Sequence, residues 1–342
     1  MSPFIRYGLP YVEAVLALAV GITAGLSFSF PSPALGFFYG ALATVGSGLV
    51  LAMLLPATGR ALTEWLARRK WRILAMIAVF SLPAVAGAAS GRLPQALIWY
   101  GIPALLLAVM PDEVADGGAA DPLVSRTRVV LRVGCRIAAA GILIIGLDLR
   151  ESLPVFSVFP EGRYELAALY TGALLLMVVL PAAKGRPPRW CRLVFDRKMW
   201  LALGATTIGA AVVIIPVAIL TGFIEPGVAS LGAGESIVAF IGIFLTIALP
   251  EELFFRHVLY GEIAKRVSRR VSVLIVIVLV SVAFGFFHWN NAVGYAQTVY
   301  VALSALAGVA YGLAYHFGGL AAALLSHTVV DWIWLMFFAG SA

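Results

Sequence analysis

The sequence predicts an all-α protein, a polytopic transmembrane helix bundle of about 11 spans. The chain is 62% hydrophobic and only 12% charged, whereas a soluble globular protein carries about 25% charged residues. Apolar runs of roughly 20 residues, the length that crosses the hydrocarbon core as a helix, recur along the chain. The alternating hydrophobicity of a membrane β-barrel is absent, which leaves helices as the spanning elements.

The apolar runs and the loops between them also predict the orientation of the helices. The predicted spans are roughly 8–29, 34–56, 73–90, 94–110, 129–147, 163–182, 200–221, 236–260, 271–289, 296–315 and 319–338. Four loops are rich in Lys and Arg, and all four fall on one side of the membrane: 57–72, 111–132, 183–198 and 261–270. Because basic loops stay in the cytoplasm, we expect a cytoplasmic N-terminus and an extracytoplasmic C-terminus. These loops account for the net charge of +7, so no nucleic acid partner is expected.

The position of the charges divides the chain near residue 198. Before that point charges sit at the ends of spans, with Glu13 as the main exception, and after it ionisable residues appear inside spans. We therefore predict an N-terminal membrane region, 1–198, with about six spans and no assigned function, and a second membrane region, 199–342. Cys135 and Cys191 lie beside basic residues at predicted cytoplasmic span ends, where neither a structural disulfide nor a metal site is expected.

The most unusual stretch is Pro250-Glu251-Glu252-Leu253-Phe254-Phe255-Arg256, which places charges inside an apolar span. Ionisable groups at membrane depth are costly, and they usually mark a functional site. Glu252 and Arg256 are four residues apart, so they share a helix face and can form a bracing ion pair. Glu251 is rotated by about 100° from Glu252 and is free to act as a general base. The alternative is a charged cluster that only anchors helix packing.

A second pair with helical spacing is Phe284 and His288, near the end of the ninth span. Phe284 is expected to lie beside the imidazole, and Gly285 between them allows a neighbouring helix to approach closely. Taken alone, a histidine in this position is more often an interfacial hydrogen-bonding residue than a catalyst.

A third pair, His327 and Asp331, lies in the last span. Asp331 can accept a proton from one imidazole nitrogen, which fixes the tautomer and orients the other nitrogen into the bundle. The remaining histidines, His257 and His316, are interpreted as interfacial or structural.

Together, three spans each bring a Glu or His group that can converge on one cavity, an arrangement suited to the activation of water. Glu251, with His288, takes a proton from water. The His327 and Asp331 pair either stabilises the oxyanion or, with His288, takes part in binding a metal. A divalent metal such as zinc is therefore one of two alternatives, with Glu251, His288 and His327 as its candidate ligands.

The three motifs, in this order, resemble those of the CPBP family. This family comprises CAAX-prenyl-endopeptidase-type intramembrane proteases and bacteriocin-processing or immunity (Abi) proteins. The resemblance covers roughly residues 235–338 and implies a polytopic α-helical endopeptidase. It implies that Glu251 and His288 activate water, and that His327 and Asp331 line the oxyanion side. The family often has Asn at the last position, so Asp331 leaves open whether this group donates a hydrogen bond. Both a metalloprotease and a metal-free, glutamate-dependent mechanism have been argued for the family.

The favoured function is therefore an intramembrane endopeptidase of the CPBP type, with residues 235–338 as its protease core. Its expected partners are the lipid bilayer and a membrane-embedded or membrane-anchored peptide or protein substrate. A bacterial cytoplasmic membrane is the expected location. His288 near the outer end of its span suggests access from the extracytoplasmic leaflet. The alternatives are a non-catalytic immunity or scaffold protein and, less favoured, a transporter that uses Glu and His as a proton relay.

Overall fold

A computed structural model of the chain describes residues 13, 15–19, 45, 48–66, 68, 74, 93–109, 122–148, 155–157, 165–167, 175–183, 193–227, 231–264 and 270–338. The chain separates into two compact units. One comprises Met1–Met53 with Ala57–Pro188, and the other comprises Leu54–Pro56 with Arg189–Ala342. The functional boundary near residue 198 stays a prediction.

The described part of the N-terminal region is mostly helical and contains one small hairpin. Its helices are α1 (Gly48–Leu54), α2 (Pro56–Leu66), α3 (Leu93–Val109), α4 (Pro122–Asp148) and α5 (Leu180–Ala183). A wider, π-helical turn interrupts α3 at Leu97–Gly101, and another precedes α5 at Leu175–Val179. The hairpin pairs β1 (Val155–Ser157) with β2 (Glu165–Ala167) in antiparallel register.

Several predicted spans differ from these elements. Residues 57–66, predicted as part of a cytoplasmic loop, form α2, which is bent by 104° from α1. Residues 165–167, predicted inside the sixth span, belong to β2. All but residue 74 of the third predicted span and most of the first lie outside the described residues.

The carboxylate of Glu13, the charge that interrupts the first predicted span, closes the N-terminus of α2. Its Oε2 accepts hydrogen bonds from the backbone amides of Ala57 (2.9 Å) and Thr58 (2.7 Å) and from the Thr58 hydroxyl (2.9 Å). The first amides of a helix have no partner within it, and they attract a negative charge. Glu13 is therefore explained as a structural cap supplied from a distant part of the chain.

The C-terminal region contains four long helical elements. They are α6 (Arg197–Leu220), a segmented helix α7 that runs through residues 233–264, α8 (Arg270–Phe287) and α9 (Tyr295–Phe338). Asp196 caps α6 by accepting a hydrogen bond from the Met199 amide. Helix α9 packs against both α6 and α8, and their buried residues form one core.

Helix α7 changes its winding around the double glutamate. Ordinary helix at Ala233–Ile243, Leu249–Glu252 and Gly261–Ala264 alternates with π-helix at Phe244–Ala248 and Leu253–Tyr260. Pro250 has no amide proton, and its ring would clash with the carbonyl four residues earlier. A wider turn before it relieves that clash, and such turns are frequent at functional sites.

Helix α9 contains a break at one residue, Gly319. This glycine has φ 76° and ψ −171°, which is not helical, and such backbone angles are essentially restricted to glycine. Residues 295–318 (α9N) and 320–338 (α9C) therefore form two helices joined without a loop. The close approach of Gly318 to α6 fits the same corner, because a Cβ there would lie 2.7 Å from the Ala202 Cβ.

Within the described residues, three helices are long and apolar enough to cross a membrane, Arg197–Leu220, Val273–Asn291 and Tyr295–Phe338, or four if the bent pair α1 and α2 is one span. These three cover the predicted spans seven, nine, ten and eleven. Apart from the short hairpin, the predicted all-α class is confirmed for the described residues, whose long apolar helices are those of a membrane protein, and the number of about eleven spans is not confirmed.

Candidate active site

Two adjacent glutamates lie at the centre of the C-terminal region, both in the Leu249–Glu252 segment of α7. Their side chains are buried, with relative exposures of 7% for Glu251 and 0% for Glu252. His327 of α9C lies close to both carboxylates, and His288, which directly follows α8, lies close to Glu251. The structure thus brings together the three sequence motifs, which are far apart in the chain.

Glu252 is held from two sides. Its Oε1 lies 3.0 Å from His327 Nδ1, in a buried hydrogen bond, and its Oε2 lies 3.2 Å from Arg256 Nε. The predicted ion pair with Arg256 is therefore present. The bond to His327 was not predicted, because helical spacing relates only residues within one helix.

Arg256 is as buried as its partner, with 1% relative exposure. Its guanidinium carbon also lies 5.1 Å from the centre of the Phe284 ring, a distance at which a cation is attracted to the face of an aromatic ring. The Glu252 carboxylate and the Phe284 ring thus stabilise the positive charge of Arg256.

Glu251 has a different environment. Its Oε2 lies 3.8 Å from His288 Nε2 and 3.9 Å from His327 Nε2, and it has no hydrogen-bond partner among the described residues. One carboxylate oxygen therefore faces the Nε2 atoms of two imidazoles, at distances that leave room for a small polar group between them.

The tautomer of His288 follows from its other nitrogen. Nδ1 lies 2.8 Å from the backbone carbonyl of Phe284, and because a carbonyl only accepts, Nδ1 is the donor. In the neutral ring, Nε2 then carries the lone pair that faces Glu251. The predicted contact with Phe284 is also present, since the two rings are 4.7 Å apart.

His327 meets carboxylates at both nitrogens. Nδ1 bonds to Glu252, and Nε2 lies 3.4 Å from Asp331 Oδ2. The predicted Asp331 contact is therefore present but longer than the one to Glu252. The other nitrogen, which was predicted to be oriented into the bundle, meets the buried Glu252 there. Asp331 is the most open member of the site, with 33% exposure of its side chain.

Close helix packing supports this geometry. A Cβ at Gly285 would lie 2.5 Å from the Val301 carbonyl oxygen and 2.8 Å from the Ala305 Cβ. The predicted close approach at Gly285 is thus present, between α8 and α9N. Beside His327, the Thr207 hydroxyl of α6 donates to the Ser326 hydroxyl at 3.0 Å, which ties α9C to α6.

Two aromatic residues that the sequence analysis did not single out complete the surroundings of the imidazoles. The Tyr300 ring stacks on His288 with centroids 5.8 Å apart, and the Tyr311 ring stacks on His327 at 4.4 Å. Both tyrosines belong to α9N, and the only available sequence signal is their placement in a span beside the motifs.

The other two histidines pair with tyrosines. His257 Nδ1 lies 3.2 Å from the Tyr315 hydroxyl, and His316 Nδ1 lies 2.9 Å from the Tyr260 hydroxyl. Both contacts join α7 to α9N, as expected for interfacial or structural residues.

The candidate metal ligands are Glu251, His288 and His327. Zinc binds nitrogen and oxygen at about 2.0–2.2 Å, so two of its ligand atoms lie about 3.0–3.6 Å apart. The Nε2 atoms of His288 and His327 both lie farther than this from Glu251 Oε2. In the described part of the chain, no group of three or more His, Cys, Asp or Glu side chains is arranged to hold a metal ion. The arrangement as it stands does not fit a bound zinc ion.

A buried carboxylate that faces two imidazoles inside a helix bundle defines a class of site that suits hydrolysis within a membrane. Residues 233–333 match the family model described as Type II CAAX prenyl endopeptidase Rce1-like. This part of the chain, which contains Glu251, His288 and His327, is therefore a domain of that CAAX protease family, and the resemblance inferred from the motifs is confirmed. Neither the curated proteins nor the solved structures contain a match to the chain.

Proposed function

We propose that the protein is an intramembrane endopeptidase that hydrolyses a membrane-associated peptide or protein with water activated by Glu251. One observation carries this proposal: Glu251 Oε2 is buried, has no hydrogen-bond partner among the described residues, and faces Nε2 of both His288 and His327. Its neighbour Glu252 makes the structural contacts, which leaves Glu251 available for chemistry.

The hydrogen-bonding roles explain how water is held. The Glu251 carboxylate and Nε2 of neutral His288 are both acceptors, so they cannot bond to each other across 3.8 Å. A water molecule between them donates one O–H to each. Both hydrogen bonds orient the water and polarise its O–H bonds, and its oxygen attacks the scissile carbonyl carbon as one proton passes to Glu251.

The reaction then follows the usual course of amide hydrolysis. The new C–O bond forms while the carbonyl π electrons move to its oxygen, and Glu251 receives the proton. That proton next passes to the leaving nitrogen as the C–N bond breaks. His327, with a carboxylate at each nitrogen, satisfies both as the imidazolium, and its positive charge stabilises the oxyanion.

We also propose a location, an orientation and a substrate class for the protein. The protein resides in a bacterial cytoplasmic membrane as a multi-pass CPBP-type protease, with its N-terminus in the cytoplasm. Its site opens towards the extracytoplasmic leaflet, since His288 immediately follows α8 at the end that is outermost under the predicted orientation. The substrate is membrane-embedded or membrane-anchored, and a prenylated CAAX peptide is one candidate for it.

The decisive experiment compares the wild type with Glu251→Gln. Membranes from cells that express the wild type or Glu251→Gln are analysed for protein termini by mass spectrometry. We expect termini that appear with the wild type and vanish with Glu251→Gln, while the amount and melting temperature of the variant protein stay unchanged. If the termini are identical in both samples, the protein acts as a scaffold or immunity factor and the proposal fails.

A further inference from the structure

Two tyrosines on one face of α9N lie on either side of the proposed site. Tyr300 and Tyr311 are eleven residues apart, which in an α-helix is about three turns with a deviation of only about 20°. Their side chains therefore leave α9N on the same side, at points about 16 Å apart along its axis. One ring reaches His288 and the other reaches His327.

Both contacts are close to parallel. The planes of Tyr311 and His327 differ by 14°, and those of Tyr300 and His288 differ by 26°. The Phe284 ring also touches both imidazoles, but at interplanar angles of 54° and 80°. The stacked contacts are thus distinct from the ordinary edge and tilted packing of the core.

Parallel stacking fixes the orientation of the imidazole planes, which the hydrogen bonds alone do not fix. Each imidazole is anchored at Nδ1, to the Phe284 carbonyl for His288 and to Glu252 for His327. These bonds, and the 3.4 Å contact of His327 Nε2 with Asp331, act at the ring nitrogens and still allow the ring plane to tilt about them. A second flat ring against the imidazole face fixes the plane, and with it the direction of Nε2.

We propose that Tyr300 and Tyr311 are positioning residues that hold Nε2 of His288 and His327 towards Glu251 Oε2. Neither tyrosine takes part in a bond that forms or breaks. The inference rests on the proposed function for its effect on catalysis, but the orientation of the two imidazoles is a property of the folded protein and is measurable without a substrate.

The first test is NMR of the full chain in lipid nanodiscs, with ¹³C at the histidine Cε1 position. Four histidines give four signals, each assigned by its own His→Gln substitution. A proton held over an aromatic face is shifted upfield. We expect Tyr311→Leu to move the His327 signal downfield, Tyr300→Leu to do the same for His288, and Tyr→Phe at either position to preserve the upfield shift.

Tyr315→Leu is the matched control, because Tyr315 also belongs to α9N but contacts His257. It is expected to change the His257 signal and leave those of His288 and His327 in place. Unmoved His288 and His327 signals in the Tyr300→Leu and Tyr311→Leu variants would overturn the proposal. So would Phe variants as perturbed as Leu variants, since the hydroxyl rather than the ring would then be responsible.

The second test measures turnover of a farnesylated CAAX reporter peptide and of the same peptide without the farnesyl group. For a peptide that is cleaved, each Leu variant is expected to lower kcat about tenfold with KM within about twofold, because misoriented groups slow the reaction without weakening binding. The Phe variants should restore kcat, and equal loss in Phe and Leu variants would count against positioning. If the wild type cleaves neither peptide, the substrate class is wrong, and the NMR result still decides the positioning.

Discussion

At the scale of single residues, Glu251 and Glu252 are adjacent in the chain and both buried, but their carboxylate oxygens have different partners. Glu252 uses one oxygen for His327 and the other for Arg256. Glu251 points its Oε2 at two Nε2 atoms, neither within 3.5 Å. Adjacent residues on a helix face different directions, so one side chain can link helices while the next one faces the reactive centre.

Glu252→Gln is expected to destabilise the protein. The substitution leaves the buried Arg256 guanidinium without a counter-charge and weakens the bond to His327, with an expected loss of about 3 kcal/mol or more. The yield of folded protein and its melting temperature in detergent measure this, with Glu251→Gln as the control that keeps both. Equal melting temperatures for the two variants would contradict the bracing role of Glu252.

Arg256→Leu should destabilise the protein in the same way, because it leaves Glu252 as a buried carboxylate without its ion-pair partner. A double-mutant comparison separates the pair from its surroundings. If Glu252 and Arg256 act together, the variant with both Glu252→Gln and Arg256→Leu loses less stability than the sum of the two single losses. Additive losses would mean that the two side chains do not interact.

Activity should depend on the Glu251 carboxylate and not on a chelatable zinc ion. The Nε2 atoms lie too far from Glu251 Oε2 to share one zinc ion in this arrangement. We expect 1,10-phenanthroline, which chelates zinc, and its non-chelating 1,7 isomer to have equal effects on cleavage. Selective inhibition by the 1,10 isomer, reversed by added zinc, would instead support the metal alternative.

At the scale of elements, the site depends on two glycines that control helix geometry. Gly285 lets α8 approach the backbone of α9N three residues before His288, and Gly319 turns the chain between α9N and α9C, which carries His327. Each glycine therefore sets the direction of a helix that delivers one imidazole.

Gly285→Ala is expected to lower both stability and activity. A methyl group 2.5 Å from the Val301 carbonyl oxygen cannot be accommodated unless the helices separate, and overpacking of this kind typically costs about 1–3 kcal/mol. The control is Gly209→Ala in α6, where a Cβ has nothing within 4 Å. Melting temperatures of the two variants compare these effects, and equal values would contradict the close approach.

Gly319→Ala is expected to destabilise the protein by about 1–3 kcal/mol, because an L side chain does not favour these backbone angles. The substitution adds no steric contact, since a Cβ there has nothing within 4 Å. Strain and crowding are thus separated by comparing Gly319→Ala with Gly285→Ala. An unchanged melting temperature for Gly319→Ala would show that the break tolerates ordinary residues.

At the scale of the whole molecule, the sequence predicted the class of protein, the three motifs and their convergence. Helical periodicity relates Glu252 to Arg256, Phe284 to His288 and His327 to Asp331, and the convergence of the three motifs was inferred because each places a Glu or His inside an apolar span. The bond between His327 and Glu252 joins residues 75 positions apart, so no local pattern contains it. The π-helical turns of α7 and the loop-free corner at Gly319 depend on packing and backbone angles, which also have no simple signature.

The predicted orientation is testable in intact cells. In a background without Cys135 and Cys191, Asn290→Cys lies just after α8 and Phe195→Cys lies just before α6, and both positions are exposed. A membrane-impermeant maleimide added outside should label residue 290 and leave residue 195 unlabelled until the cells are opened. Labelling of residue 195 alone from outside would reverse the orientation and place access on the cytoplasmic leaflet.

The corner at Gly319 also has a consequence for how this chain can change length. A loop can accommodate an extra residue by changing its path, but α9N and α9C are joined at a single residue, Gly319. One residue inserted between Gly319 and His327 would turn the imidazole about the helix axis by about 100° and shift it by about 1.5 Å. His327 would then face away from Glu252 and Glu251. We therefore expect single-residue insertions and deletions within residues 320–327 to impair activity more than most substitutions in the same segment.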